Sequence, residues 1–204
     1  AAGHRGITAF IVEPKTYEGF TANPTEMSGL SRCLRSSAVF LDDFQVPAEN
    51  RLGEEGEGFR ETMQVLTTSR ISIAAQCVGI AQAAYEAAVT YAKQREAFGQ
   101  HLSDFQAIQW MIADMATGID AARLLVYRAA TLKDEGLPYS VEASMAKLMA
   151  SEMAEEVCSG AIQIHGGYGY LADYPVERIY RDVRVCQIYE GTSEVQRLVI
   201  ARGL

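Results

Sequence analysis

The 204-residue chain is long enough for one domain with a substantial core, or for one domain and part of another. With 49% apolar and 22% charged residues it has the balance of an ordinary globular protein, which excludes a disordered or collagenous one. A formal net charge of −8 denies it the basic surface that a nucleic-acid backbone requires, so nucleic acid is not expected as a partner.

Taken in order, residues 7–12 (I-T-A-F-I-V) form a β-rich run stopped by Glu13-Pro14. Residues 36–41 (S-S-A-V-F-L) form another, closed by Asp42-Asp43. Two or three strands cannot bury both faces of a sheet, so residues 1–56 read as the remnant of a larger β domain. The chain starts without Met and almost directly in a strand-like run, which reads as a beginning partway into a longer protein.

After Gly53, Gly56 and Gly58 the pattern turns helical, and residues 57–204 are expected to form a second domain. A long helix is predicted over residues 59–94, burying Met63, Leu66, Ile73, Val78 and Ala81. In the next helix Phe105, Ile108, Ile112, Met115, Ile119, Ala122, Val126 and Ala129 fall alternately three and four apart, the stripe of a helix packed lengthwise on others. Gly136-Leu137-Pro138 ends it. Over residues 140–164, Ala143, Ala146, Ala150, Ala154, Val157, Ala161 and Ile164 give an alanine-rich seam that lets helix axes approach closely. The fold class predicted is mainly α, an antiparallel four-helix-type bundle preceded by the β remnant.

The four cysteines, Cys33, Cys77, Cys158 and Cys186, are scattered without a C-x-x-C pair, and His4, His101 and His165 lie far apart. No metal or disulfide framework is visible, and buried reduced thiols are expected. The most apolar run, residues 71–85, carries Ser and Gln and is flanked by Arg70 and Glu86, so no membrane span is expected; no signal peptide is visible either.

The chemistry is expected in residues 163–197. Gly166, Gly167 and Gly169 supply bare or left-handed backbone where the third helix ends, so that chain or ligand can approach. Pro175 restarts a helix, followed by Arg178, Arg181 and Arg184, a cationic group suited to a small anion. Glu190 lies between Tyr189 and Gly191. Ser193, with Gln196 three residues on, has the capping-box pattern for a last helix. A carboxylate beside an aromatic ring and shut away from water suits a general base for a weakly acidic C–H. An ordinary Glu in a helix-helix corner would show the same spacing.

Other residues carry two readings each. Arg95, at a helix end, can satisfy the last carbonyls or grip a phosphate through its fork of donors. Phe98 beside it would then cover an aromatic ring of the ligand, and Gln106 is either a solvated amide or one that reaches a cofactor. Arg70, inside an apolar helix, needs an anionic or carbonyl partner.

Seven segments, in order along essentially the whole chain, carry a resemblance: G-I-T-A-F-I-V, L-G-E-E-G-E-G-F, R-E-A-F-G, F-Q-A-I-Q, Q-I-H-G-G-Y-G-Y, Y-P-V-E-R-I-Y-R-D and I-Y-E-G-T-S-E-V-Q-R-L-V-I-A. Together they resemble the C-terminal part of flavin-dependent acyl-CoA dehydrogenases, nearest to the short-chain (butyryl-type) and short branched-chain members. The resemblance implies FAD as cofactor and α,β-desaturation of a short- to medium-chain acyl-CoA thioester. By it, Glu190 takes the α-proton while a β-hydride passes to the flavin, and the backbone N–H of Glu190 polarises the thioester oxygen. Gly191 would lie against the substrate, with Thr67 and Arg70 in the substrate-contact stretch. Thr67 departs from the Asp of many short-chain members. Arg95, Phe98, Gln106, Gln163, Ile164, His165, Gly166 and Gly167 would contact FAD of a neighbouring subunit; Thr192, Ser193 and Glu194 would contact it on the catalytic side. In isovaleryl- and long-chain-type relatives the base comes from the position just before the conserved Arg. Here that position is Ser69, which leaves the role to Glu190.

The resemblance further implies a homotetramer, electron transfer flavoprotein as electron acceptor, and a cytoplasmic location in a bacterium or the mitochondrial matrix in a eukaryote. The family's N-terminal helical domain and the first half of its β domain have no counterpart here, so the isolated chain is expected to be inactive. Two other functions are kept open: a non-catalytic helical oligomerisation module, which predicts no bound flavin, and an acyl-CoA oxidase, which predicts oxygen consumption.

Overall fold

The computed structural model describes residues 3–29, 34 and 36–204, so Cys33 lies outside the described residues. The chain divides into two compact units, Ala1–Leu66 and Thr67–Leu204.

In the first unit, β1 (Ala9–Phe10) pairs antiparallel with β4 (Arg51–Leu52), and β2 (Phe20–Thr25) pairs antiparallel with β3 (Ser36–Leu41) from Phe20 opposite Leu41 to Thr25 opposite Ser36. The strand expected at residues 36–41 has those bounds. The run at residues 7–12 is shorter as a ladder, although the Ile11 N–H still donates to the Asn50 carbonyl at 2.9 Å. β2 has no counterpart among the expected strands. Pro24 stands opposite Ser37 in a two-stranded ribbon, whose outer side has no ladder for the missing N–H to break.

α1 (Gly58–Gln94) begins in the first unit and continues into the second, where α2 (Gln106–Asp134), α3 (Ser140–His165), α4 (Pro175–Val183) and α5 (Ser193–Gly203) complete a mainly helical bundle. Side-chain pairs set the directions. Arg70 of α1 reaches Ser144 of α3, and Tyr91 stacks on His165, so α1 and α3 run parallel. Arg128 of α2 pairs with Glu142 while Met115 abuts Gly160, and Arg197 of α5 pairs with Glu152 while Gly203 abuts Val141. Both α2 and α5 are therefore antiparallel to α3. Of the stripe expected on α2, Met115, Ile119, Ala122, Val126 and Ala129 are buried while Phe105, Ile108 and Ile112 are only half-buried, and every expected seam residue of α3 is buried. Against them α1 sets its own alanines, Ala74, Ala81, Ala84, Ala88 and Ala92, all fully buried; of the positions expected in its core Val78 and Ala81 are buried, whereas Met63, Leu66 and Ile73 are half-buried. Such small side chains let the helices pack at the short end of the usual 8–10 Å axial range.

α1 and α2 are joined through β5 (Glu96–Ala97) and β6 (Gln100–His101), an antiparallel hairpin whose two turn residues, Phe98 and Gly99, both have left-handed φ, +52° and +81°. α3 ends at Gly166 (φ 59°, ψ −138°), a conformation open only to glycine. α4 starts with Pro175 at its first turn and buries Val176 and Val183.

The last helix corrects one expectation. Its N-cap is Thr192, whose hydroxyl accepts from the Val195 N–H at 3.4 Å; Ser193 is the first helical residue and is buried. Gln196 does not complete a capping box with Ser193. Its amide turns inward to the backbone of the preceding loop, where two carbonyls need donors.

Candidate active site

Two groups of the expected site residues lie at opposite ends of the parallel pair α1 and α3. The first is built around Glu190. This residue has φ +56° and is followed by Gly191 at φ +96°. For a residue with a Cβ the left-handed region costs about 1–2 kcal/mol, so the surroundings must hold it there. The carboxylate is half-buried, and its Oε2 accepts from the Ser69 hydroxyl at 2.5 Å. Ser69 thus occupies the position from which the resemblance draws the base of other family members, and here that position supports the carboxylate.

Arg70, 5% exposed, has a neutral hydroxyl where an anion or carbonyl was expected: Nη1 donates to Ser144 Oγ at 3.2 Å, and that hydroxyl in turn donates to the Ser140 carbonyl at 2.9 Å. Burial lowers the Arg70 pKa, and the charge of Glu190 acts against that lowering. Its Nε is buried without an acceptor. Thr67 is half-buried one turn earlier on α1.

Beneath the loop stands Lys147, fully buried on α3, its Nζ donating to the Gly191 carbonyl at 2.8 Å. Burial lowers its pKa, while Cys77, Cys186 and Glu190 push it up and Arg70 pushes it down. Sequence reasoning missed this residue. The signal was present: in A-S-M-A-K-L-M-A the lysine falls on the same helical face as Ala143, Ala150 and Ala154. Cys186 also donates to or accepts from Tyr189 Oη at 3.5 Å, and burial, followed by this contact, raises the tyrosine's pKa. Cys77, Cys158 and Cys186 are free and buried, as expected. Of the residues after the loop, Glu194 is exposed in the first turn of α5, and hydrogen bonding to backbone and to Thr192 holds its carboxyl below the usual range.

The second group lines a cleft of about 450 Å³ walled by Tyr91, Arg95, Ile164, His165, Gly166, Gly167 and Tyr168 among others. The Arg95 guanidinium lies over the Tyr168 ring, 5.4 Å from its centroid. His165 is 4% exposed, stacks on Tyr91 with centroids 4.3 Å apart, and shares a 2.7 Å hydrogen bond between Nδ1 and the Ala161 carbonyl. Its ring is therefore structural, and the turn offers backbone to a ligand. A Cβ added at Gly166 or Gly167 would meet no atom within 4 Å, so the backbone there is open to close approach. A guanidinium beside open glycine backbone is the donor set that a diphosphate takes.

Phe98, Gln106 and Gln163 are exposed and lie outside the lining of this cleft; Phe98, 98% exposed, sits at the hairpin tip, edge-on to Phe105. Of the three arginines expected to gather around an anion, Arg181 is matched with Glu177 and Arg184 with Glu155, while Arg178 is exposed. Among the described residues no group of three or more His, Cys, Asp or Glu could hold a metal ion, and no helix is long and apolar enough to cross a membrane.

The model of the acyl-CoA dehydrogenase C-terminal domain matches residues 56–204, and the chain belongs to the acyl-CoA dehydrogenase family. It is 52% identical to the caffeyl-CoA reductase-Etf complex subunit CarC of Acetobacterium woodii over 200 residues, 98% of this chain and 52% of that protein. It is 50% identical to the mitochondrial short-chain specific acyl-CoA dehydrogenase of Bos taurus, over 98% of this chain and 48% of the relative. The structure of butyryl-CoA dehydrogenase from Megasphaera elsdenii superposes with a TM-score of 0.94 at 48% identity, over 98% of this chain and 52% of that one. The chain spans about half the length of the relatives it matches.

Proposed function

We propose that this chain is the part of an FAD-dependent acyl-CoA dehydrogenase that carries the catalytic base, acting on short- to medium-chain acyl-CoA thioesters. The carrying observation is Glu190: a carboxylate in left-handed backbone, with one oxygen held by Ser69 and the buried cations Arg70 and Lys147 nearby. Because Ser69 occupies Oε2, the other oxygen is left to take the substrate's α-proton. The backbone N–H of Glu190 serves the thioester oxygen, Gly191 gives the acyl chain room, and Thr67 and Arg70 stand on the substrate side. FAD, when bound, supplies the acceptor for the β-hydride.

Two sets of residues would hold the cofactor. Thr192, Ser193 and Glu194 lie at the start of α5 beside the base, where the N–H groups of the first turn favour an anion; the buried Ser193 Oγ is without a partner there. Arg95, Ile164, His165, Gly166 and Gly167 form the cleft at the far end, with Phe98, Gln106 and Gln163 at its margins. Along α1, Arg70 and Tyr91 are about 31 Å apart, and along α3 Lys147 and His165 are about 27 Å apart. Separation on that scale favours the far cleft serving the cofactor of another copy, which argues for an assembly of more than one chain; a homotetramer is what the resemblance implies.

Electron transfer flavoprotein as electron partner is supported by the Acetobacterium relative, named as a subunit of an Etf complex. With the bovine relative named as mitochondrial, a eukaryotic owner of this chain would keep it in the matrix and a bacterial one in the cytoplasm.

The test is Glu190→Gln in the full-length protein containing this sequence, assayed by bleaching of the flavin with butyryl-CoA. Flavin content stays, and turnover falls by about 10²- to 10⁴-fold, the usual worth of a general base. Near-normal turnover would refute the assignment.

A further inference from the structure

The turn that presents Glu190 is held from below by two side chains that no catalytic step requires. The Gly191 carbonyl accepts from Lys147 Nζ at 2.8 Å and from Gln196 Nε2 at 2.9 Å, and the same amide nitrogen lies 3.2 Å from the Glu190 carbonyl. Lys147 and Gln196 are the two largest fully buried side chains of the described residues. A buried ammonium is costly to desolvate, and an apolar residue of similar volume would avoid that cost. Packing alone therefore gives no reason for a lysine in an alanine seam.

Geometry supplies one. The peptide planes on both sides of Gly191 are pinned through their carbonyls, and the next residue, Thr192, is fixed as the cap of α5. Relaxing Glu190 from φ +56° to ordinary backbone would rotate the peptide that follows it, carry its carbonyl off the Gln196 amide and swing the carboxylate away from Ser69. Resting on the reading of Glu190 as the base, we propose that Lys147 and Gln196 form a buried clamp on the Gly191 carbonyl that holds Glu190 in its left-handed turn and so positions the catalytic carboxylate. Both are positioning residues: they act through Gly191 and touch no substrate.

The experiment compares Lys147→Met and Gln196→Met with Glu190→Gln in the full-length, flavin-loaded protein. For each clamp variant kcat with butyryl-CoA falls about tenfold to 100-fold, the cost of a base displaced on the order of 1 Å, while KM and flavin content hold. Amide exchange over residues 189–193 accelerates more than exchange over the rest of α3 and α5. The double variant loses no more than the worse single, because both act on one carbonyl. Unchanged kcat and unchanged exchange in the single variants overturn the clamp. So does a loss of activity that follows a fall in thermal midpoint and flavin content, with kcat per bound flavin unaltered. Should Lys147→Met fail to fold, Gln196→Met decides alone. Turnover surviving in Glu190→Gln refutes the base; turnover lost there but normal in the clamp variants refutes the clamp only.

Discussion

Two glycine-to-alanine substitutions, chemically identical, are expected to act with opposite sign. At Gly191 the backbone has φ +96°, and an added Cβ would sit 2.6 Å from Gln196 Nε2. The left-handed conformation costs an L-residue about 1–2 kcal/mol. Moving the Gln196 amide aside also weakens two hydrogen bonds, each worth about 1 kcal/mol net. The expected destabilisation is therefore about 3–4 kcal/mol, or a smaller one with the loop relaxed and the base displaced. Gly79 lies in the exposed interior of α1, outside the left-handed region, with nothing within 4 Å of an added Cβ. Gly79→Ala is expected to stabilise by about 0.5–1 kcal/mol through helix propensity alone. Urea unfolding of both variants in the full-length protein, with flavin bleaching by butyryl-CoA for Gly191→Ala, reads both effects. A Gly191→Ala protein within about 0.5 kcal/mol of its parent and equally active would show that the turn does not depend on glycine.

The alanine seam makes a second test. Ala150→Leu adds three carbons where the side chain is fully buried between close helices, and overpacking of this kind costs about 1–3 kcal/mol; a thermal midpoint equal to the parent's would show that the seam is loosely packed. A third concerns alkaline pH. Burial raises the Cys158 thiol from 9.0 to about 12, so above about pH 9 the unfolded chain releases a proton that the fold retains. Stability contributed by this group is complete below pH 9 and is lost as pH rises toward 12. Cys158→Val should flatten the fall in the urea midpoint between pH 8 and pH 10.5, and parallel curves for parent and variant would rule the thiol out.

Helices announce themselves here because their faces repeat. The seam from Ala143 to Ile164 is periodic enough that burial follows from spacing, whereas the stripe from Phe105 to Ala129 is buried only from Met115 on, its first turns staying half-buried. The strand at Phe20–Thr25 has no such signal, since Asn23 and Pro24 weaken it locally and only the pairing with β3 makes it a strand. Thr192 and Ser193 are both good caps, and the spacing to Gln196 pointed to the serine; the burial of Ser193 and the inward turn of Gln196 chose the threonine. Glu190 was singled out from its neighbours, but its left-handed φ was not foreseeable, because Gly191 beside it is the residue that ordinarily takes that conformation.

The parallel course of α1 and α3 explains why two candidate sites arise from the same pair of helices. Arg70 meets Ser144 across a separation of 74 residues, and Tyr91 meets His165 at the same offset, so the stagger is constant along the pair. Ser69, Arg70, Ser144 and Lys147 face the Glu190 loop at one end, while Tyr91, Arg95, Ile164 and His165 line the cleft at the other. Fully buried alanines on both helices occupy the length between. Because close-packed interiors shift as units and do not deform smoothly, the seam sets the spacing of one end relative to the other. A residue at its middle, such as Ala150, touches neither site, yet it fixes the helix on which parts of both are mounted.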